Sequence, residues 1–254
     1  MSMKTYSFPF FERKHSGIAI VVLIIALAFS ACKKEFYNDT LSYHYDYQPL
    51  EIGQYTIFDV DSYRYLYSAP SQFVDTIRYQ QRELIADTFY DNQNRLNYRL
   101  EIMRRPNAAA NWGDLKVGYC LKTTTNFERV EDDLRFTKFV FPPKNEVTWK
   151  GNNYIPATDT NFFKVYNDWT YTFKEVNTAK TINSLSFDST ATIVQVDEEN
   201  LIDKKRSVEV FAKGVGFISK EFEVISKQDV SSGWDRPLKA TGFRIRMKVN
   251  SYGK

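Results

Sequence analysis

The chain has 254 residues, of which 34 are basic and 31 acidic, so that its net charge is +3 at neutral pH. Hydrophobic residues make up 43% of the chain, which is enough for a substantial core. The nearly balanced charge, without a basic stripe, argues against a nucleic-acid-binding protein.

The first 31 residues have the three parts of a secretory signal peptide in the required order. A polar stretch with three basic residues comes first, an apolar run follows at 18–29, and Ser30 and Ala31 lead to Cys32. A helix of twelve residues is about 18 Å long, whereas the hydrocarbon core of a bilayer is ~30 Å thick. The segment therefore predicts a cleaved signal peptide rather than a permanent membrane helix.

Residues 29–32, Phe-Ser-Ala-Cys, resemble a lipobox and differ from its commonest form at Phe29, where leucine is usual. The resemblance implies that Cys32 is the lipid-bearing first residue of the mature protein, so that the membrane is its first expected partner. Acyl chains contribute ~0.8 kcal/mol per buried methylene, which is enough for lasting attachment. The alternative is an ordinary secreted protein that is cut nearby, with Cys32 incidental.

The chain beyond the signal peptide divides into a tether and one domain. Residues 32–47 are polar without a sustained period and predict a lipidated spacer, while residues 48–254 predict a single β-rich domain. Signal peptide removal leaves 31 basic and 30 acidic residues, because the first 31 residues hold three and one respectively. With lipid on Cys32, Cys120 has no disulfide partner, and its alternating surroundings predict a packed strand residue.

A two-residue period of hydrophobicity begins near Pro49 and indicates β-strands. In residues 243–249 the apolar side chains alternate with basic ones, which predicts one buried and one solvated face. We expect Ile245 to lie on the buried face and Arg246 on the solvated one. Gly214 and Gly216 interrupt a strand pattern and predict a bulge or a sharp bend.

Roughly ten strands joined by short loops predict an all-β fold, mainly an antiparallel meander. The sheet is expected to curve into a barrel or half-barrel, or to form a sandwich, because its apolar face must be buried. The prolines Pro142 and Pro143 predict the end of the apolar strand that precedes them, since proline cannot donate to a ladder.

The predicted domain offers little for catalysis. The only histidines are His15, in the signal peptide, and His44, in the tether, which argues against Ser-His-Asp, Cys-His and histidine-ligated zinc sites. Carboxylates are paired at 59 and 61, at 132 and 133, and at 197–199, but none has a persuasive catalytic or calcium-binding spacing. We therefore predict no catalytic residue, no metal and no cofactor.

Two tryptophans are the candidate ligand contacts. Trp112 and Trp234 lie in polar, loop-like surroundings, where an aromatic ring can stack on a sugar or on a partner protein. The alternative is that both rings cover the ends of the sheet.

Three stretches resemble a family of Bacteroidota outer-membrane lipoproteins. They are residues 47–55 (YQPLEIGQY), residues 141–144 (FPPK) and the block 187–216, which contains FDST, DEENLI and VFAKGVG. The resemblance implies an outer-membrane location and no particular activity. Residues 33–35, Lys-Lys-Glu, are similar to a surface-display signal, and the periplasmic and outer faces both remain open.

These observations together predict a lipid-anchored protein of the cell envelope, acting as a non-enzymatic binding or accessory module. Three alternatives are a saccharide-binding partner of a nutrient-uptake system, a carrier of apolar molecules and a structural protein that contacts other envelope proteins. A flat tryptophan platform would favour saccharides, and a large apolar cavity would favour lipids. The absence of both would favour the structural role.

Overall fold

The computed structural model describes residues 43–158 and 162–254, and strands make up 63% of this part. The signal peptide and Cys32 lie outside the described residues. The only helical elements within them are two 3-10 turns, Tyr45–Tyr47 and Lys164–Tyr166. None of the described helices is long and apolar enough to cross a bilayer.

Twelve strands form a single antiparallel sheet. In chain order they are β1 (Tyr55–Ser68), β2 (Ser71–Tyr90), β3 (Leu96–Arg105), β4 (Gly113–Lys122), β5 (Asn126–Glu131), β6 (Leu134–Val140), β7 (Thr148–Trp149), β8 (Tyr171–Ile182), β9 (Leu185–Glu199), β10 (Asp203–Ala212), β11 (Gly216–Lys227) and β12 (Ala240–Gly253).

The first strand, β1, lies in the middle of the sheet, and the other strands follow on both sides of it. Strands β1 to β6 run outward to one edge, and β7 to β12 return from the opposite edge until β12 pairs with β1. The two edges approach each other, because the Thr137 amide donates to Gly151 O at 2.8 Å and Trp149 Nε1 donates to Thr137 O at 2.8 Å. The sheet is therefore barrel-like and nearly closed, which confirms the predicted all-β antiparallel class.

Residues 45–54, here called the N-terminal segment, pack against one end of the barrel. The Tyr47 side chain is fully buried, and its hydroxyl lies 3.0 Å from Ser189 Oγ and 3.1 Å from Asn177 Oδ1. The Gly214 amide donates to Asp46 O at 2.8 Å. Residues 45–47 thus belong to the folded body and not to the tether, because their contacts are with distant residues that no local pattern reveals.

The largest hydrophobic cluster lies inside the barrel and is rich in aromatic rings. The ring of Phe139 is fully buried, with its centroid 4.9 Å from that of Phe173 and 5.5 Å from that of Phe211. Rings at these separations contribute beyond their buried area. The cluster continues through Tyr171 and Trp169, which are also buried.

Strand β12 confirms one half of the predicted face assignment and corrects the other. Met247 and Val249 are buried, and Ile245 is half-buried on the same face. The opposite face is not uniformly solvated, because Arg244 is 6% exposed and its Nε lies 2.5 Å from Glu223 Oε2. The loop that carries Trp234 covers Arg244. The alternation within β12 cannot predict this contact, because the loop precedes the strand and folds back over it.

The predicted bend at Gly214 and Gly216 is the turn between β10 and β11. Both residues have positive φ, +75° and +92°, a conformation that glycine adopts without steric strain. The turn brings the strands together at the end of the barrel where the N-terminal segment lies, and the Gly214 amide holds that segment.

Candidate functional site

A cavity of about 100 Å³ lies in the barrel interior, beside the aromatic cluster. The N-terminal segment forms one wall of it, through Gln48, Pro49, Leu50 and Gln54. Six ionisable side chains from five strands form much of the rest, namely Glu83, Arg129, Glu131, Lys138, Glu209 and Lys220. They comprise three carboxylates and three cations, so their charges cancel.

Strand periodicity explains why most of these charges point inward. In β2, Glu83 occupies the same face as the buried Ile85, two residues away. The Lys138 side chain points inward for a different reason, which is a β-bulge. Phe127 pairs with Phe139 while Glu128 pairs with Thr137, so Lys138 is the extra residue of the bulge. Both Lys138 and Phe139 are consequently buried.

Arg129 joins two of the carboxylates. Its guanidinium donates to Glu83 in a bidentate pair, at 2.7 and 2.9 Å, and lies 2.9 Å from Glu131. Burial opposes ionisation of Glu131, but Arg129, Lys220 and Lys138 outweigh it and hold the Glu131 pKa at about 2. Burial also opposes the charge on Arg129, yet Glu131 and Glu83 raise the pKa of this side chain well above its ordinary value.

Glu209 joins the other two cations. Lys138 Nζ donates to Glu209 Oε1 at 2.8 Å, and Lys220 Nζ lies 3.3 Å from the same oxygen. Burial opposes ionisation of Glu209, but the two lysines outweigh it and lower its pKa. The lysines differ, because burial dominates at Lys138 and lowers its pKa, whereas Glu209 and Glu131 overcome burial at Lys220 and raise its pKa.

Two side-chain amide atoms, in residues of the N-terminal segment that line this cavity, have no hydrogen-bond partner among the described residues. They are Nε2 of Gln48, a donor, and Oε1 of Gln54, an acceptor. Gln48 is 3% exposed, and the other amide atom of Gln54, Nε2, donates to Val215 O at 3.0 Å. Buried polar atoms are usually hydrogen-bonded, so these two atoms are exceptions among the residues that line the cavity.

The remaining wall is mostly apolar, with Leu100, Phe211 and Met247 among its residues, and Thr56 and Gln81 are its polar members. Cys120 also lines it, and burial raises the pKa of its thiol to about 12. The thiol stays protonated at neutral pH and is therefore a poor nucleophile. This agrees with the prediction that Cys120 is a packed strand residue.

The two tryptophans predicted as ligand contacts are half-buried on the outside of the sheet. Arg105 of β3 lies over the ring of Trp112, with 4.2 Å from its guanidinium carbon to the ring centroid. Lys227 of β11 lies over the ring of Trp234 with 4.2 Å from Nζ to the centroid, and Arg244 of β12 donates to Trp234 O. Their neighbours belong to different strands, and no contact brings the two rings together, so both cover parts of the sheet.

Five of the seven carboxylates in the pairs 59/61 and 132/133 and the run 197–199 form ion pairs on the surface, while Asp59 accepts hydrogen bonds from Gln80 and Asn250. Asp61 lies 3.1 Å from Arg78, and Asp132 lies 2.8 Å from Lys116. The acidic run 197–199 forms a ladder with the three basic residues 204–206. Within residues 43–158 and 162–254 there is no group of three or more potential metal ligands.

Comparisons with protein-family models, curated proteins and solved structures find no match for this chain. The sequence does not predict the cavity residues, because a charged residue in an alternating strand is ordinarily assigned to the solvent-exposed face. One usable signal exists in β2, where Gln81 and Glu83 share the parity of Ile85 rather than of the exposed Arg78.

Proposed function

We propose that this protein is a lipid-anchored, non-enzymatic binding module of the cell envelope, and that its cavity takes a small polar molecule without net charge. The observation that carries the proposal is a pair of amide atoms, Gln48 Nε2 and Gln54 Oε1, that lack a partner among residues 43–158 and 162–254 and belong to residues lining a cavity with a net-neutral charged wall. A guest with one acceptor and one donor satisfies both amides. A net charge on the guest would unbalance the network.

The cost of the charged network supports a functional role for it. Buried ion pairs lose hydration on folding, and replacing them with apolar residues of similar volume is often neutral or stabilising. Proteins depart from such local rules mainly at functional sites. The aromatic cluster beside the cavity shows that the interior of the same barrel can also be filled by apolar side chains.

The ionisation of the site favours binding over catalysis. General acid–base chemistry works best when a group titrates near the working pH. Glu131 and Glu209 instead have lowered pKa values, because the surrounding cations stabilise their ionised forms. Both carboxylates are therefore suited to orienting a polar guest through their negative charge rather than to exchanging protons at neutral pH.

The dimensions of the site and the tryptophan positions weigh against two of the three alternatives, and the charged cavity wall favours binding of a small guest over the third, a purely structural role. Pockets for drug-sized ligands are typically about 300–1,000 Å³, several times the ~100 Å³ found here. This weighs against a carrier of long apolar chains. The separate positions of Trp112 and Trp234 weigh against a stacking platform for saccharides.

Lipid attachment at Cys32 is part of the same proposal. An anchor followed by a short spacer keeps a binding domain in a thin layer at the membrane and raises its effective concentration there. The resemblance to outer-membrane lipoproteins supports that membrane as the location. We expect Cys32→Ser to abolish lipid attachment and release the protein into the soluble fraction, and continued partition into the detergent phase would contradict the anchor.

The binding proposal can be tested on the purified lipoprotein in detergent. Thermal-shift and calorimetric titrations would compare small neutral and zwitterionic polar molecules with carboxylates, amines and fatty acids. We expect only the first group to bind. Gln48→Leu and Gln54→Leu should each weaken binding, by roughly tenfold for the loss of one buried hydrogen bond.

The matched control is Gln93→Leu, since Gln93 is exposed in the turn between β2 and β3. Trp112→Ala and Trp234→Ala should leave binding unchanged. Binding that survives both cavity variants but is lost with a tryptophan variant would move the site to the outer surface. Preferential binding of fatty acids, or turnover of any tested compound, would overturn the proposal.

A further inference from the structure

The hairpin of β1 and β2 extends beyond the neighbouring strands and leaves one strand edge open. Residues 71–84 of β2 pair with β1, but pairing with β3 begins only at Gln80. Within the part of the chain that the structure describes, residues 71–79 therefore have a neighbouring strand on one side only. At ~3.4 Å per residue this open edge is about 30 Å long.

The direction of the backbone groups along this edge follows from the register. Both the N–H and the C=O of Ile85 bond toward the β1 side, to Gln54 and Gly53. The register with β1 is unbroken from Ser71 to Leu84, so the odd-numbered residues of β2 all face β1. The even-numbered residues of the open stretch consequently direct their N–H and C=O groups outward; these are Gln72, Val74, Thr76 and Arg78.

Large apolar side chains accompany the open edge. Phe73 is 62% exposed and Ile77 is 54% exposed on one face of the hairpin, and Leu66 lies directly opposite Phe73 on β1. A long edge with exposed apolar groups is prone to pair with another strand unless it is covered. The exposed groups thus make this edge suited to pairing with another strand.

We infer that the partner of this edge is the same edge of a second copy, paired antiparallel about a two-fold axis at Asp75. In this register Val74 lies opposite Thr76 of the second copy, and Gln72 lies opposite Arg78 of the second copy. All four outward-facing residues of each copy then exchange hydrogen bonds. Moving the axis by one residue in either direction leaves one of the four unpaired on each copy.

The side chains fit this register as well. Phe73 lies opposite Ile77 of the second copy, and the reverse pair repeats it, so that the exposed apolar groups cover one another. The single conflict is at the axis, where Asp75 faces its own copy. Arg64 lies directly across from Asp75 on β1, so the row of four charges through the dimer is neutral.

The position of Asp75 on the axis provides a register-specific test. Opposed residues that do not share hydrogen bonds have Cα atoms ~4.5 Å apart, within the ~4.4–6.8 Å range of disulfides. The full lipoprotein carrying Asp75→Cys should therefore cross-link to a covalent dimer under mild oxidation. The control Val74→Cys should not, because its opposite residue is Thr76. Cys120 is buried and does not interfere.

Thr76→Pro tests the ladder without removing a bond from the monomer, since the Thr76 N–H faces the open edge. Sedimentation in density-matched detergent should show a dimer for the wild type and at least a roughly tenfold weaker dimer for Thr76→Pro. Thr76→Val, which keeps the N–H, should retain the dimer. Asp75→Asn should tighten it, because the like charges at the axis are removed.

Circular dichroism would establish that Thr76→Pro is folded, and Phe73→Lys, which leaves the backbone intact, provides a second disrupting variant. A monomeric wild type without cross-linking through Asp75→Cys would overturn the inference, even if the edge then captured a strand of another protein. A dimer insensitive to Thr76→Pro and Phe73→Lys would overturn it too. None of these outcomes depends on ligand binding in the cavity.

Discussion

Two adjoining parts of the barrel interior are stabilised in different ways. Around Phe139, buried aromatic rings pack at centroid distances near 5 Å, and their contribution depends on apolar area. Around Arg129, charged groups are held at 2.7–2.9 Å, and their contribution depends on each partner being present and ionised. Lys138 and Phe139 are neighbours in sequence and belong one to each part.

The difference teaches that burial alone does not describe this interior. Apolar burial involves no titrating group, so its stabilisation does not depend on pH. This stabilisation decreases roughly with the apolar area that a substitution removes. A buried ion pair can offer little net stability when complete and still cost several kcal/mol when one partner is removed. The four predictions below test this distinction, from the largest expected effect to the smallest.

The largest effect is expected in the aromatic part. Phe139→Ala should lower the free energy of unfolding by about 3–5 kcal/mol, because it leaves a cavity among packed rings. Urea denaturation at pH 7 and at pH 5 should give the same loss, since none of the rings around Phe139 changes charge between these pH values. Phe89→Ala is the control, because Phe89 is 40% exposed. Equal losses for the two variants would contradict the assignment of the core.

In the charged part, Arg129→Met should lower the free energy of unfolding by about 3 kcal/mol at pH 7, since it leaves Glu83 and Glu131 without their shared cation. The loss should shrink at pH 4, where Glu131, without the cation that lowers its pKa most, can take up a proton instead. Urea midpoints at the two pH values measure the change. Arg78→Met, which breaks an exposed pair with Asp61, should have little effect at either pH. A pH-independent loss for Arg129→Met would mean that the guanidinium acts mainly through packing.

The wild-type protein should lose stability in acid through Glu131. Its folded pKa of about 2 lies below the ordinary value of 4.5, so the unfolded chain binds more protons between these values. The stabilisation is complete above about pH 4.5 and decreases as pH falls toward 2. Glu131→Gln should flatten this part of the stability-versus-pH curve. An unchanged curve would show that other carboxylates, such as Glu209, account for the acid sensitivity.

The smallest effect is expected on the outer face of β12. Arg246→Ala should change the free energy of unfolding by less than about 1 kcal/mol, because the pair with Glu221 is partly solvated. Arg244→Ala on the same face should cost roughly 1–3 kcal/mol, since it leaves the buried Glu223 with one cation fewer. Thermal and urea unfolding would compare the two variants. Equal effects would indicate that the loop over Arg244 does not exclude water.

Sequence reasoning located the strands better than the site. Alternation predicted β12, and the prolines at 142 and 143 predicted the end of β6. The tryptophans were chosen for the polar residues beside them in the sequence, whereas the cations that lie closest over the rings come from strands β3 and β11. The cavity was not predicted, because in the sequence its charged residues resemble those of a solvent-exposed strand face. Only the closure of the sheet places them inside the barrel.

By itself, the sequence determined the all-β class and the approximate strand positions, because the two-residue period is a property of each strand alone. Tertiary structure decided which charges meet, since Glu83 and Arg129 are 46 positions apart and Lys138 and Glu209 are 71 apart. It also decided that Lys138 points inward, because a bulge exists only relative to a paired strand. The burial of Tyr47 has the same origin, since its partners near 177 and 189 approach it only when the barrel forms.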